Sequence, residues 1–327
     1  MKRREFLTVL GGAALARPRL AAAQTAGKTH HLGTLTPVAA MTETSPFGKM
    51  LLKAMAEHGY KLGENLILSS LGTMGDIAKI PSMLQQLKAG GADALVIIGY
   101  PTAEAAKSLG IPTVAAFGLG DPVATGLIES QAHPGGNLTG ISDVASTLTT
   151  KRLSLLKELS PNLQKVAMLW NKDDLGMTLR YEASAKSARS LDFKVLALGI
   201  AAPDDFGEAF SVMDEQKPDA ILMVADSLTN LNRKRVFDYV AAKKLPAIYE
   251  YDFITRDGGL MSYGPDLSES FDRAAALVDR IFKGAKPGDL PFEEPTRYLF
   301  VLNLKTAKSA GIEIPPTLLA LADEVIE

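Results

Sequence analysis

The stretch Tyr249-Glu250-Tyr251-Asp252 sets two acids beside two tyrosines in a chain that has only 8 tyrosines in all. Tyrosine rings offer a stacking surface, and carboxylates offer partners for an amine. Strand alternation sends Tyr249 and Tyr251 to one face and Glu250 to the other, so not all can line one cleft. Sheet packing is the competing role for either ring. Gly99-Tyr100-Pro101-Thr102-Ala103 follows the apolar run ADALVIIG, with Pro101 placed where a helix starts. The N–H groups of Thr102 and Ala103 and the Thr102 hydroxyl suit a carboxylate there; an ordinary helix cap is the alternative. Asp226-Ser227 closes AILMVAD, where Asp226 can accept from a ligand amine or cap its helix. Asn171 opens Asn171-Lys172-Asp173-Asp174, beside Trp170. Thr36, Ser45, Asp121 and Tyr263 complete the set, each just beyond an apolar run.

These are hydroxyls, helix starts, a few acids and a few aromatics. They make a binding inventory without a nucleophile–base pair. The phosphate loop, the dinucleotide fingerprint, the nucleophile elbow and the H-E-x-x-H zinc motif are all missing. Four histidines, His30, His31, His58 and His133, stand at no metal-ligand spacing, so no metal and no cofactor is implied. Ser154-Leu155-Leu156-Lys157 matches S-x-x-K in form only, and an amphipathic helix face explains it better. HPGGNLTG, residues 133–140, looks like a phosphate cradle and contains a glycan sequon. It precedes a strand, whereas a phosphate loop follows one. It is better read as a turn feeding a strand that leaves the first half of the chain, with Gly140, Ile141 and Ser142 as hinge.

The elements that position these residues alternate. HLGTLTP, NLILSSLG, ADALVIIG and PTVAAFG read as strands, separated by helices at Phe47 to His58, Asp76 to Lys88 and Thr102 to Leu109. After HPGGNLTG the pattern restarts with a helix from Thr147 to Leu159. KVAMLWN, KVLALGI, AILMVAD and PAIYEYD alternate with helices at Thr178 to Ser190, Asp204 to Gln216 and Leu228 to Lys243. The order β-α-β implies parallel sheets with helices on both faces. About 300 residues beyond the leader fit two lobes better than one, since domains commonly run about 100 to 200 residues. The strand GGLMSYG and the amphipathic helix Leu267 to Lys283 must complete one of the two sheets. If they complete the first, the chain crosses between lobes three times, near 140–146, 252–259 and 290–298. In open α/β sheets ligands bind beyond the carboxyl ends of the strands, which is where the candidate residues fall.

The first 23 residues read as an export signal: Lys2, Arg3 and Arg4, a short apolar run, and small residues at Ala21 and Ala23. Arg3-Arg4-Glu5-Phe6-Leu7 suits the twin-arginine route, with a general secretory signal as the alternative. The expected location is the periplasm, with no membrane span after cleavage and a monomeric chain. The whole chain has no cysteine and a net charge of −2; the leader holds five basic residues and one acid, which leaves the remainder at −6. A mildly acidic chain without a basic patch does not suit nucleic acid.

The stretches RREFLTVLGGAA, HPGGNLTGIS, KRLSLLKELSP, PAIYEYDF, GGLMSYGPDL, RIFKGAKPGDLPFEEPTRYLFVLNLKTAKSAG and PPTLLALADEVIE run in order along nearly the whole chain. They resemble the family of ABC-transporter substrate-binding proteins related to the tryptophan-binding TrpX type, with the type I periplasmic-binding-protein fold. The resemblance implies two Rossmann-like lobes joined by a three-crossover hinge. It divides the chain into residues 28–142 plus 258–292 and residues 143–257 plus 293–327. It also implies a small carboxylate-bearing ligand, an aromatic or other hydrophobic amino acid or related acid, held between the lobes. Delivery would be to an inner-membrane ABC permease and its ATPase. One departure is local: where the family commonly has a Gly-Thr-Pro-Ala-Ala-like loop, Tyr100 takes the Thr position. An exported enzyme working in the cleft and a ligand-sensing module for a receptor kinase are the competing functions.

Overall fold

The computed structural model describes residues 28–142 and 147–327; the expected export signal lies outside them. The first sheet holds five parallel strands: β1 (His30–Thr36), β2 (Leu66–Gly72), β3 (Ala94–Ile98), β4 (Thr113–Phe117) and β5 (Leu138–Gly140), in the order β2-β1-β3-β4-β5. β3 and β4 are buried at every position, which is why their sequences are continuous apolar runs rather than alternating ones. Three helices, α1 (Pro46–Glu57), α2 (Ile80–Ala89) and α3 (Tyr100–Lys107), connect them.

The second lobe begins at α4 (Thr149–Leu159). It continues through β6 (Lys165–Asn171), α5 (Leu175–Ser190), β7 (Lys194–Ile200), α6 (Asp205–Gln216) and β8 (Ala220–Met223). A helix pair follows, α7 (Ser227–Leu231) and α8 (Arg233–Lys243), and then β9 (Ala247–Tyr249) and α9 (Asp252–Arg256). After β10 (Met261–Pro265), α10 (Leu267–Phe282) and β11 (Tyr298–Asn303), the chain closes with α11 (Leu304–Ala310), α12 (Pro316–Leu321) and β12 (Glu324–Ile326). The seven-stranded sheet runs β12-β11-β10-β9-β8-β6-β7, parallel except where β10 meets β11. The molecule has the type I periplasmic-binding-protein fold, two helix-flanked lobes around parallel sheets.

One expected boundary is corrected. Segment 258–292 does not join the first lobe as a unit. Its strand, β10, pairs with β9 and β11 in the second sheet, whereas its helix, α10, packs on α1, β3 and β4 of the first lobe. Phe271 on α10 meets the rings of Phe47 and Phe117 there. The second crossing therefore lies between Pro265 and Leu267, not near 252–259. Periodicity reports which face of a strand is buried and says nothing about which sheet edge the strand joins.

The other crossings lie side by side. Ser142 N–H donates to the Glu293 carbonyl at 2.8 Å, and Glu293 N–H donates to the Gly140 carbonyl at 2.9 Å. Gly140 has φ 157°, and a Cβ there would lie 2.3 Å from the Ala115 carbonyl oxygen, so the close approach to β4 requires glycine. The Glu269 carboxylate on α10 ties down the third crossing. It accepts from Thr296 Oγ1 at 2.6 Å, from Arg297 N at 2.8 Å and from Arg273 Nε at 3.0 Å. Burial pushes this acid up, but those donors outweigh burial and hold it at about 2. In HPGGNLTG the Asn137 side chain is committed: its amide donates to the carbonyls of Ala106 and Ile111, fastening α3 to the start of β4.

Candidate functional site

The carboxyl ends of both sheets face one cavity of about 610 Å³ between the lobes. In each sheet it lies where the strand order reverses, between β1 and β3 on one side and between β6 and β8 on the other. A volume of this order suits a ligand the size of an amino acid with a large side chain.

The first lobe supplies the loop from Pro37 to Met41 after β1, the start of α1, and Gly99, Pro101 and Gly118 after β3 and β4. Thr36 shapes this wall from behind. Its hydroxyl donates to the Ala39 carbonyl at 2.8 Å and accepts from Val38 N–H, which folds the loop back on itself. Ser45 lines the cavity and caps α1, accepting from Gly48 N–H at 3.1 Å. Four rings, two from each lobe, form an apolar wall. Phe117 meets Phe47 edge-on at 5.4 Å and Tyr251 at 5.3 Å, while Phe253 meets Phe47 at 5.5 Å and lies against Tyr251 at 5.8 Å.

The second lobe supplies the charge. Asp226 caps α7, accepting from Thr229 N–H at 2.8 Å in a reciprocal capping box. Its other oxygen accepts from Asn171 Nδ2 at 2.6 Å. Asn171 thus acts on the site through Asp226. Asp174 caps α5, accepting from Met177 N–H at 3.1 Å. That cap explains why α5 starts at Leu175, three residues before the expected Thr178. Both carboxylates line the cavity and are nearly buried, at 5% exposure for Asp174 and 9% for Asp226. Burial pushes Asp174 up to about 7, the charge of Asp226 adds to the rise, and Met177 N–H and Arg180 oppose it. Burial also raises Asp226, against the bonds from Thr229 and Asn171. Two carboxylates in one apolar cavity repel each other, and a cation placed between them relieves both. Ser227 and the guanidinium groups of Arg233 and Arg256 complete this side. Arg233 pairs with Asp257, and Arg256 pairs with Asp252 and Glu324.

Other expected site residues fall behind or away from the wall. Glu250 is fully buried in a charge network: Arg180 approaches its carboxylate at 2.9 Å, Arg152 at 3.4 Å, and Ala225 N–H donates to it at 2.9 Å. Arg152 also donates to the Tyr263 carbonyl at 2.8 Å. This network holds Ala225, and with it Asp226, in place. Tyr249 is buried against Phe237 and Gly259, and burial raises its phenol. Tyr263 faces Tyr298 on β11, outside the cavity. The Thr102 hydroxyl turns back onto the carbonyls of Ile98 and Gly99, and Ala103 N–H is taken by Gly99, because α3 starts at Tyr100 rather than Thr102. Tyr100 donates its hydroxyl to Glu104 at 3.0 Å; burial first and then this acid push the phenol up to about 12. Asp121 is exposed and caps its own turn through Val123 and Ala124. Sequence reasoning thus missed Phe47, Phe117, Phe253 and the two arginines as cavity residues, and passed over Asp174 although its short polar run was noticed. An acid followed by a helical pattern was the available signal for Asp174.

Residues 43–326 match the family model described as ABC transporter substrate binding protein. The chain belongs to that family. Among relatives of this substrate-binding protein is a tyrosine-binding protein of Clostridioides difficile, strain R20291. It is 25% identical over 81% of this chain and 76% of its own. The solved ABC domain in complex with L-Trp from Streptococcus pneumonia is 26% identical, with a TM-score of 0.80 over 91% of this chain and 100% of that one. A conserved domain protein from Vibrio cholerae O1 biovar El Tor is 25% identical, with a TM-score of 0.84 over the same shares. The family, the tyrosine-binding relative and the tryptophan-bound domain are binding proteins, not enzymes.

Proposed function

We propose that this substrate-binding protein captures an aromatic or large apolar amino acid in the interlobe cavity and delivers it to an ABC permease from the periplasm. The observation that carries the reading is the meeting of two buried carboxylates, Asp174 and Asp226, with a four-ring apolar wall in one cavity. The ligand ammonium sits at the acids, where it replaces their mutual repulsion with two charge-assisted hydrogen bonds. The ligand side chain packs among Phe47, Phe117, Tyr251 and Phe253. Its carboxylate points to the first lobe, where the start of α1 offers the Phe47 N–H and a favourable helix dipole. Ser227 and Pro101 border the ligand, and residues 140–142 bend as the lobes close. The ligand favours the closed form because only that form presents both walls. The names of the tyrosine-binding and tryptophan-bound relatives support the substrate class.

A thermal-shift screen over the common amino acids tests the reading. Tyrosine, tryptophan or phenylalanine should raise the melting temperature in a concentration-dependent way. A screen in which only sugars or only acids lacking an amine raise it would overturn the reading.

A further inference from the structure

The two lobes touch at a point outside the cavity wall, where a glycine from each side meets the other. Gly176 stands in the first turn of α5, two residues after Asp174. A Cβ on Gly176 would lie 2.6 Å from the Leu119 carbonyl oxygen and 3.0 Å from Tyr100 Cβ, both in the first lobe. A Cβ on Gly120, next to Leu119, would lie 2.7 Å from the Gly176 carbonyl oxygen. Carbon atoms do not approach backbone oxygen this closely, so the contact exists only because Gly176 is bare. Glycine is otherwise an odd choice for a helical first turn, where alanine is the better helix former. Tyr100 is 5% exposed. Its Cβ and Cγ lie over Gly176, so separating the lobes uncovers it.

We propose that the bare Cα of Gly176 is the seat on which the first lobe closes, with Tyr100 and the Leu119 carbonyl as the parts that seat on it. The first turn of α5 then serves closure and ligand together, since its cap, Asp174, lines the cavity. The inference rests on the reading that the lobes close around a ligand, and it makes Gly176 a positioning residue for that step. Gly120 is a poor test site because its φ of 75° strains any side chain there. Gly176 has no such restriction, so Gly176→Ala leaves the separated lobes intact.

The test uses the full chain, which has no native cysteine. Cysteines introduced at the exposed Lys53 and Lys234, one in each lobe, take spin labels for distance measurement. Wild type should populate a short inter-label distance, increased by tyrosine or tryptophan. Gly176→Ala should lose that population, melt at or above the wild-type temperature, and bind the amino acid roughly tenfold to a hundredfold more weakly. An unchanged short-distance population in the variant overturns the proposal. So does a wild type that never populates the short distance. A clear drop in the variant's melting temperature also overturns it, because the glycine would then serve packing within its own lobe. If no amino acid binds wild type, the substrate reading fails, while the ligand-free distances still decide the role of Gly176.

Discussion

Asp174→Asn isolates the charge that binding needs and folding resists. Asparagine caps helices about as well as aspartate, so α5 keeps its first turn. The folded-state value of Asp174 is about 7 against an ordinary 3.8. At about 1.4 kcal/mol per unit, the three-unit rise corresponds to at most about 4 kcal/mol. The sign follows from a raised acid. The native state holds the proton more tightly than the unfolded chain, so the stabilisation is present below about pH 4 and is lost as pH rises through about 7. The ligand-free wild type therefore weakens across that window, and Asp174→Asn removes the slope. At pH 8 the variant should be more stable than wild type by about 1 to 4 kcal/mol, from urea unfolding without ligand. Removing one partner of a buried charge pair should cost about 2 to 5 kcal/mol in amino-acid affinity, roughly thirtyfold or more, read by calorimetry. A variant less stable than wild type at pH 8, or one that binds unchanged, would refute the argument that this buried carboxylate serves a ligand cation.

Three further outcomes follow from the same geometry. Amino-acid affinity of wild type should fall as pH drops from 8 to 5, because Asp174 takes up a proton through about 7 and no longer attracts an ammonium; titration calorimetry at the two pH values checks this. Glu250→Gln should lower stability by about 3 to 5 kcal/mol, since it leaves Arg152 and Arg180 buried without their shared carboxylate; a melting temperature equal to wild type would show the network is dispensable. Glu269 acts in the opposite pH direction from Asp174. Its depressed value means that its stabilisation is present above the ordinary carboxylate range and is lost as pH falls from about 4.5 toward about 2. Glu269→Gln should therefore be destabilised at neutral pH and lose less on acidification, as acid unfolding monitored by circular dichroism would reveal.

The fold was largely legible because its strands are continuous apolar runs and its helices carry one apolar stripe, and both patterns are local. The strand of the 258–292 segment was misassigned because edge choice is set by tertiary pairing: β10 reads the same in either sheet. The site was legible as a region, since strand ends locate it, but not residue by residue. Thr102 and Glu250 have the right chemistry and the right position along the chain, yet the hydroxyl bonds its own backbone and the carboxylate pairs with two arginines behind the wall. Phe47 and Phe117 were legible only as core. Whether an aromatic ring at a strand end or helix start faces its own lobe or a cavity shared with another depends on how the lobes meet, which no local pattern encodes.

The central claim is that the ligand's ammonium is bound by Asp174 and Asp226 in the interlobe cavity. Calorimetric titration of wild type with L-tyrosine and with its deaminated analogue, which keeps the ring and the carboxylate, tests it most directly. The account predicts that the amino acid binds and the analogue binds at least roughly thirtyfold more weakly, as expected for a lost partner in a buried charge pair. Equal affinity for the two compounds would contradict it.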